Sequence, residues 1–301
     1  MSAATVIVLT AMLVGVACAI PGCFLVLRRT AMMGDAISHA VLLGIVAAFA
    51  LTGGQAQIPV LVGATAVGVL TVALVELVRR SGLVADDAAI GLVFPALFAV
   101  AVVAIARFPS VVHLDVDHVL YGEIAYAPLD RLVLFGTDLG YRSLWVLGAL
   151  AIVNVAFAVL FFKELKLATF DEGLAATLGF SPRVIHYGLM TVVAATAVIA
   201  FDSVGSILVV GMLIVPAATA WLLTDRLGAM LVLAVGAAAL AGIGGYWLAR
   251  LLDGSISGSM ATVGGILFAL AFAAAPKHGA IAGWRRRRAL QRSLAAQAEA
   301  A

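Results

Sequence analysis

An all-α integral membrane protein with about nine transmembrane helices is the fold class this sequence predicts, from three observations. Hydrophobic residues fill 64% of the 301 positions and charged residues only 11%. The apolar residues come in runs of roughly 17 to 25, the length that crosses ~30 Å of hydrocarbon. The charges gather between those runs. A mean hydropathy of +1.17 excludes a water-soluble fold. A net charge of +2 is too small to mark a nucleic-acid partner. Much of the basic excess is one block, Arg285, Arg286, Arg287 and Arg288, just past the last apolar run, where it is expected to anchor to anionic lipid.

In chain order the predicted spans are 5–27, 31–52, 58–78, 88–106, 144–162, 184–201, 204–223, 227–249 and 256–275. They lack period-2 alternation and are about twice the length of a barrel strand, so helices are predicted. The first run starts at Thr5 without a basic leader and is too long for a signal-peptide core, so it is expected to remain as a span. Cys18 and Cys23 share it, about 140° apart on a helix, and so cannot pair with each other. Pro21, Pro95 and Pro216 lie inside spans and predict kinks whose freed carbonyls are met by neighbouring helices or water. No internal repeat is found, and the chain reads as one transmembrane domain, 1–278, followed by a basic cytoplasmic tail, 279–301.

Orientation follows from lysine and arginine, which stay in cytoplasmic loops. With the amino terminus outside and the carboxyl terminus inside, the inner loops hold Arg28, Arg29, Arg79, Arg80, Lys163, Lys166, Arg183, Arg226, Lys277, Arg292 and the 285–288 block. Only Arg107, Arg131, Arg142 and Arg250 fall outside. The outer side collects Asp115, Asp117, Glu123, Asp130, Asp138, Asp202 and Asp253, an acidic face expected to draw cations. Asp202 is expected to cap the helix starting at Val204.

The ionisable residues within the spans carry the chemistry, because such groups are costly in lipid and usually mark a pathway. At the head of the second span stands Gly34-Asp35-Ala36-Ile37-Ser38-His39-Ala40. A spacing of four puts Asp35 and His39 on one helix face within ~40° and about 6 Å along the axis, so both can reach one ion. Carboxylate with imidazole suits Mn²⁺, Fe²⁺ or Zn²⁺, whereas calcium or magnesium takes oxygen alone and copper(I) takes sulfur. The other reading is that Asp35 caps its helix and His39 hydrogen-bonds within the bundle. Two ligands do not fill a transition-metal shell, so the metal reading needs a second chain to supply two more. On the outer loop, His113, Asp115, Asp117 and His118 form a second candidate, a metal entry point, against the alternative of a solvated loop. His186, Cys18, Cys23, Met32 and Met33 read as packing.

The inner connection, 163–183, predicts a short helix. Thr169 or Asp171 can cap its start, Asp171 and Glu172 favour its positive end, and Gly179 offers a left-handed stop before Ser181-Pro182 opens the next helix. Phe170, Leu174 and Leu178 recur at spacing four and can dock in a groove of a soluble partner, or else the helix lies on the bilayer. No phosphate-cradling Gly-x-x-x-x-Gly-Lys-Ser/Thr loop is present and the inner loops are too short for an ATPase domain, so any ATP-driven motor is expected on a separate chain.

The run Phe24-Leu25-Val26-Leu27-Arg28-Arg29 followed by Met33-Gly34-Asp35-Ala36-Ile37-Ser38-His39-Ala40-Val41 resembles the manganese, zinc and iron permeases of ABC importers. Phe170-Asp171 with Ala175 and Leu178-Gly179 resembles that family's coupling helix, and the block from Val204 to Pro216 resembles the span after its sixth helix. The sequence departs at Leu43, where the family often has proline. Leu120-Tyr121-Gly122-Glu123-Ile124 is more similar to the manganese and iron branch than to the zinc branch.

The resemblance implies an importer permease fold and a non-catalytic subunit in the cell membrane, with Asp35 and His39 as metal ligands. It implies ATPase coupling through Phe170, Asp171, Leu174, Ala175, Leu178 and Gly179. The implied partners are cytoplasmic ATPase subunits, an extracytoplasmic metal-binding protein and a second permease chain, identical or sister. No permanent cofactor is expected; the metal is cargo. A proton- or sodium-coupled secondary transporter using Asp35 and His39 as a relay is the competing class, and a membrane scaffold or sensor a third.

Overall fold

A helix satisfies its own backbone in hydrocarbon, and among the described residues nine helices are long and apolar enough to cross a membrane. The computed structural model describes residues 2–52, 57–107, 124–134, 137–275 and 279. In order the helices are α1 (Ala3–Leu27), α2 (Met32–Thr52), α3 (Gln57–Arg80), α4 (Asp86–Arg107), α5 (Arg142–Leu160), α6 (Phe162–Phe170), α7 (Glu172–Thr177), α8 (Pro182–Val204), α9 (Ser206–Leu223), α10 (Leu227–Leu252) and α11 (Ile256–Ala274). All but α6 and α7 are of spanning length.

The central helix is α1, packed on α5, α8, α9 and α10 and buried from Val6 to Leu25 over most of its positions. Helices α2, α3 and α4 form a second group, joined to the first chiefly where α2 and α3 meet α8. Without a hydrophobic drive inside lipid, helices associate by close van der Waals contact at small residues. Gly22 is the tightest case: a Cβ there would lie 1.9 Å from the carbonyl oxygen of Leu213, so α1 and α9 touch backbone to backbone. At Gly44 an added Cβ would sit 2.5 Å from the Gly63 carbonyl oxygen, which locks α2 against α3.

Pro21 sits inside α1 and has no N–H to bond the carbonyl of Ala17, four residues back. That carbonyl is met by a neighbour. Asn154 on α5, 1% exposed, donates through Nδ2 to the Ala17 oxygen at 2.8 Å and lies 2.8 Å from Thr196 Oγ1 on α8. Three helices are thereby tied at the one backbone group that proline left open.

The turn after α1 is a left-handed cap. Thr30 N–H donates to the Leu25 carbonyl and Arg29 N–H to that of Val26, with Arg29 at φ 58°. A non-glycine residue there costs on the order of 1 kcal/mol. The turn leads directly into α2.

Four sequence expectations need correction. The fifth span ends at Leu160 rather than 162, because the chain breaks at Phe161. The inner connection holds two helices, α6 and α7, where one was predicted. Of its two candidate caps, Asp171 accepts from Leu174 N–H at 2.8 Å while Thr169 lies inside α6. Asp202 lies in the last turn of α8 instead of capping α9, because Gly205, at φ 82°, marks the break between them. The connection between α4 and α5 includes a two-stranded antiparallel hairpin, β1 (Arg131–Leu134) and β2 (Thr137–Tyr141), where only a loop was expected.

Replacing Asn154 by leucine removes both donor contacts and strands the Ala17 carbonyl in an apolar bundle. The expected loss is roughly 1–3 kcal/mol, to be read as a lower thermal unfolding midpoint of the detergent-solubilised chain.

Candidate metal centre

Helix α2 turns one stripe, Met33, Ala36, Ile37, Ala40, Val41 and Gly44, toward the interior. Asp35 and His39 fall beside that stripe, on a flank that meets α4. Their side chains are 33% and 37% exposed in the single chain. Asp35 is already inside the helix, which begins at Met32, so it is not the cap. Among the described residues no backbone N–H donates to its carboxylate.

His39 Nε2 and Asp35 Oδ1 stand 3.6 Å apart. That is too long for a hydrogen bond. Two ligands held ~2.1 Å from one tetrahedral ion would be roughly 3.4 Å apart, so the separation fits two corners of one coordination shell. Among the described residues no third His, Cys, Asp or Glu joins them. The pair by itself falls short of the four ligands a transition ion usually takes.

On the α4 side the ring of Phe94 stacks on His39 at 5.8 Å and that of Phe98 meets it edge-on at 6.1 Å. The sequence reading missed this pair. Its signal was present as two rings one helical turn apart around Pro95.

A second polar cluster surrounds the turn from α1 to α2. Arg28 donates through Nε to Thr169 Oγ1 on α6 at 3.2 Å, and its Nη1 lies 3.4 Å from His186 Nδ1 on α8. Burial pulls the Arg28 guanidinium below its ordinary value, opposed by the nearby Glu172 carboxylate on α7. A cavity of about 140 Å³ beside it is lined by Arg28, Met33, Glu76, Arg79, Asp87 and His186. Glu76 is ion-paired to Arg80 at 2.8 Å and to Arg79 at 3.6 Å. His186 is therefore part of a packed network, and Cys18, Cys23 and Met33 are buried as expected, whereas Met32 is exposed.

Helix α6 anchors through buried Leu165 and Ala168, and α7 through buried Ala175. Phe170, Leu174 and Leu178 stay 60%, 47% and 57% exposed. Gly179, at φ 86°, closes α7: its N–H bonds the Ala176 carbonyl and Phe180 N–H bonds that of Ala175. The left-handed stop is where the sequence put it.

The outer candidates His113, Asp115, Asp117 and His118 lie outside the described residues. Of the other acids expected on the outer face, Asp138 is ion-paired with Arg131 and Asp130 with Arg142 at 3.3 Å. These two pairs weaken the acidic face expected from sequence, because each carboxylate has its own cation.

The family model described as the ABC 3 transport family matches residues 3–275. The chain belongs to that family. Among curated relatives it is 51% identical over 275 residues to the zinc transport system membrane protein TroD of Treponema pallidum, covering 91% of this chain and 75% of that one. It is 45% identical to the manganese transport system membrane protein MntD of Bacillus subtilis, covering 91% and 93%. Among solved structures, PsaBC from Streptococcus pneumoniae in complex with Fab superposes with a TM-score of 0.76 at 29% identity, over 92% of this chain and 94% of that one. This ABC 3 chain is accordingly a multi-pass membrane protein with an importer permease fold.

Among the described residues, neither the Asp35 nor the His39 side chain makes a hydrogen bond. Asp35→Asn is therefore expected to assemble in normal amounts and to lose metal uptake by at least tenfold, as measured by radiotracer accumulation. Uptake at the wild-type level would remove Asp35 from the site.

Proposed function

We propose that this chain is the transmembrane permease subunit of an ATP-driven importer of a divalent transition metal, with manganese ahead of zinc and iron as cargo. The observation that carries the reading is the Asp35–His39 pair, with ligand-like spacing, open on one side and set in a membrane helix. Polar side chains a third exposed at that depth need a protein surface over them rather than lipid. A second permease chain, identical or sister, supplies that surface and two more ligands. If that chain is identical, two carboxylates balance the charge of a divalent ion. The manganese and zinc named for the relatives accord with a carboxylate–imidazole set, and the carboxylate oxygen suits manganese.

The chain itself is non-catalytic, and ATP is hydrolysed by partner subunits. Exposed Phe170 at the end of α6, Leu174 on α7 and Leu178 just beyond it, with Asp171, Ala175 and Gly179 shaping the turns, dock on a cytoplasmic ATPase. Arg28 extends that surface into the bundle, because it contacts α6 and α8 from the turn that leads into Asp35. With α6 and α7 inside, the amino terminus faces outward and the basic tail, 279–301, lies in the cytoplasm. The cargo arrives from an extracytoplasmic binding protein on the opposite side. No observation favours a proton- or sodium-coupled secondary transporter.

Two experiments test the reading. Metal content is measured by mass spectrometry in cells carrying wild type or His39→Ala under limiting manganese, zinc or iron. A selective drop of several-fold in manganese is expected, a drop in zinc or iron instead would reassign the cargo, and no change in any metal would refute the site. Separately, Leu174→Glu is expected to leave the permease in the membrane while ATP hydrolysis no longer drives uptake; unchanged coupling would place α7 on the lipid surface.

A further inference from the structure

Histidine ligands are ordinarily aimed by a hydrogen bond from the second ring nitrogen to a carboxylate or carbonyl, which also makes the ligand more basic. His39 has no such bond among the described residues; its one polar neighbour is Asp35, on the ligand side. What touches the ring instead is apolar: Phe94 stacked on its face at 5.8 Å and Phe98 against it at 6.1 Å. Both phenyl rings come from α4, one turn apart, and so act on the same imidazole from one rigid element.

Resting on the Asp35–His39 reading, we infer that Phe94 and Phe98 are the positioning residues of the metal site. They form an aromatic clamp that replaces the usual hydrogen-bonded support of a histidine ligand. The clamp fixes the direction of Nε2 toward Asp35 by packing alone. It adds no electron density to the imidazole, so the geometry is set without the gain in affinity that a hydrogen-bonded carboxylate brings. A transit site has to bind well enough to accept its ion and weakly enough to release it, and this arrangement meets both needs. The rings also form a dry wall on one side of His39, which limits the water that can enter the coordination shell there. Because the clamp sits on α4 and the ligands on α2, a shift of α4 along α2 would release the imidazole and loosen the site.

The test uses the permease assembled with its ATPase subunits in lipid nanodiscs and Co²⁺ as a spectroscopic probe of ligand geometry. Phe94→Leu keeps the apolar volume and removes the ring; it is expected to lower Co²⁺ affinity about tenfold, the scale of losses on removing the support of a ligand, and to shift the visible absorption bands. Phe94→Tyr keeps the ring and is expected to retain both affinity and spectrum. If Phe94→Leu does not assemble, Phe98→Leu carries the comparison, since Phe98 is 39% exposed and its loss opens no sealed void. Wild-type affinity and spectrum in the leucine variants would overturn the clamp. His39→Ala is measured alongside: if it retains the Co²⁺ spectrum, the site reading itself falls, and if it loses the spectrum while the leucine variants do not, only the clamp falls.

Discussion

Inside hydrocarbon no water stands ready to bond a backbone amide or carbonyl, and every such group has to find its partner in the protein. This is the constraint on which the rest of the molecule depends. It makes the spans helical, and it explains why the exceptions are placed as they are. Pro21 opens one carbonyl in a largely enclosed helix, and the bundle answers with the buried Asn154. The same side chain reaches Thr196, so the repair of one backbone defect also fixes how α1, α5 and α8 lie together. Where α8 ends and α9 begins, Gly205 takes a left-handed conformation that a side chain would resist.

Close packing does the work that hydrophobic burial does in water. Gly22 brings α1 onto the backbone of α9, and Gly44 brings α2 onto α3. The second contact matters for the proposed site, because it holds α2 from behind while the flank with His39 meets Phe94 and Phe98 of α4. The Asp35 and His39 side chains remain about a third exposed on a helix packed by α3 and α4. That exposed part is where a second chain would complete the proposed site.

The proposed site and the proposed motor contact are joined by one short stretch of chain. Arg28 stands at the end of α1, the left-handed turn at Arg29 follows, and Asp35 comes within the first turn of α2. From that turn the Arg28 guanidinium reaches Thr169 on α6 and His186 on α8. A displacement of α6 and α7 therefore bears directly on the turn that sets the start of α2, with no long chain of intermediaries.

How much of this was legible beforehand depends on the range of the physics involved. The nine spans followed from the length of the apolar runs, since bilayer thickness imposes its own ruler on the chain. The facing of Asp35 and His39 followed from helical periodicity, and the stop at Gly179 from its freedom at positive φ, both local properties. What sequence alone did not determine depended on contacts between distant segments. That Asn154 meets the carbonyl freed by Pro21, that Phe94 and Phe98 close on His39, and that Arg28 lies between α6 and α8 are decided by how helices far apart in the chain come to pack. The break at Phe161 and the hairpin between α4 and α5 were likewise set by tertiary context. Periodicity tells a helix which of its faces agree with one another; only the folded bundle decides what each face meets.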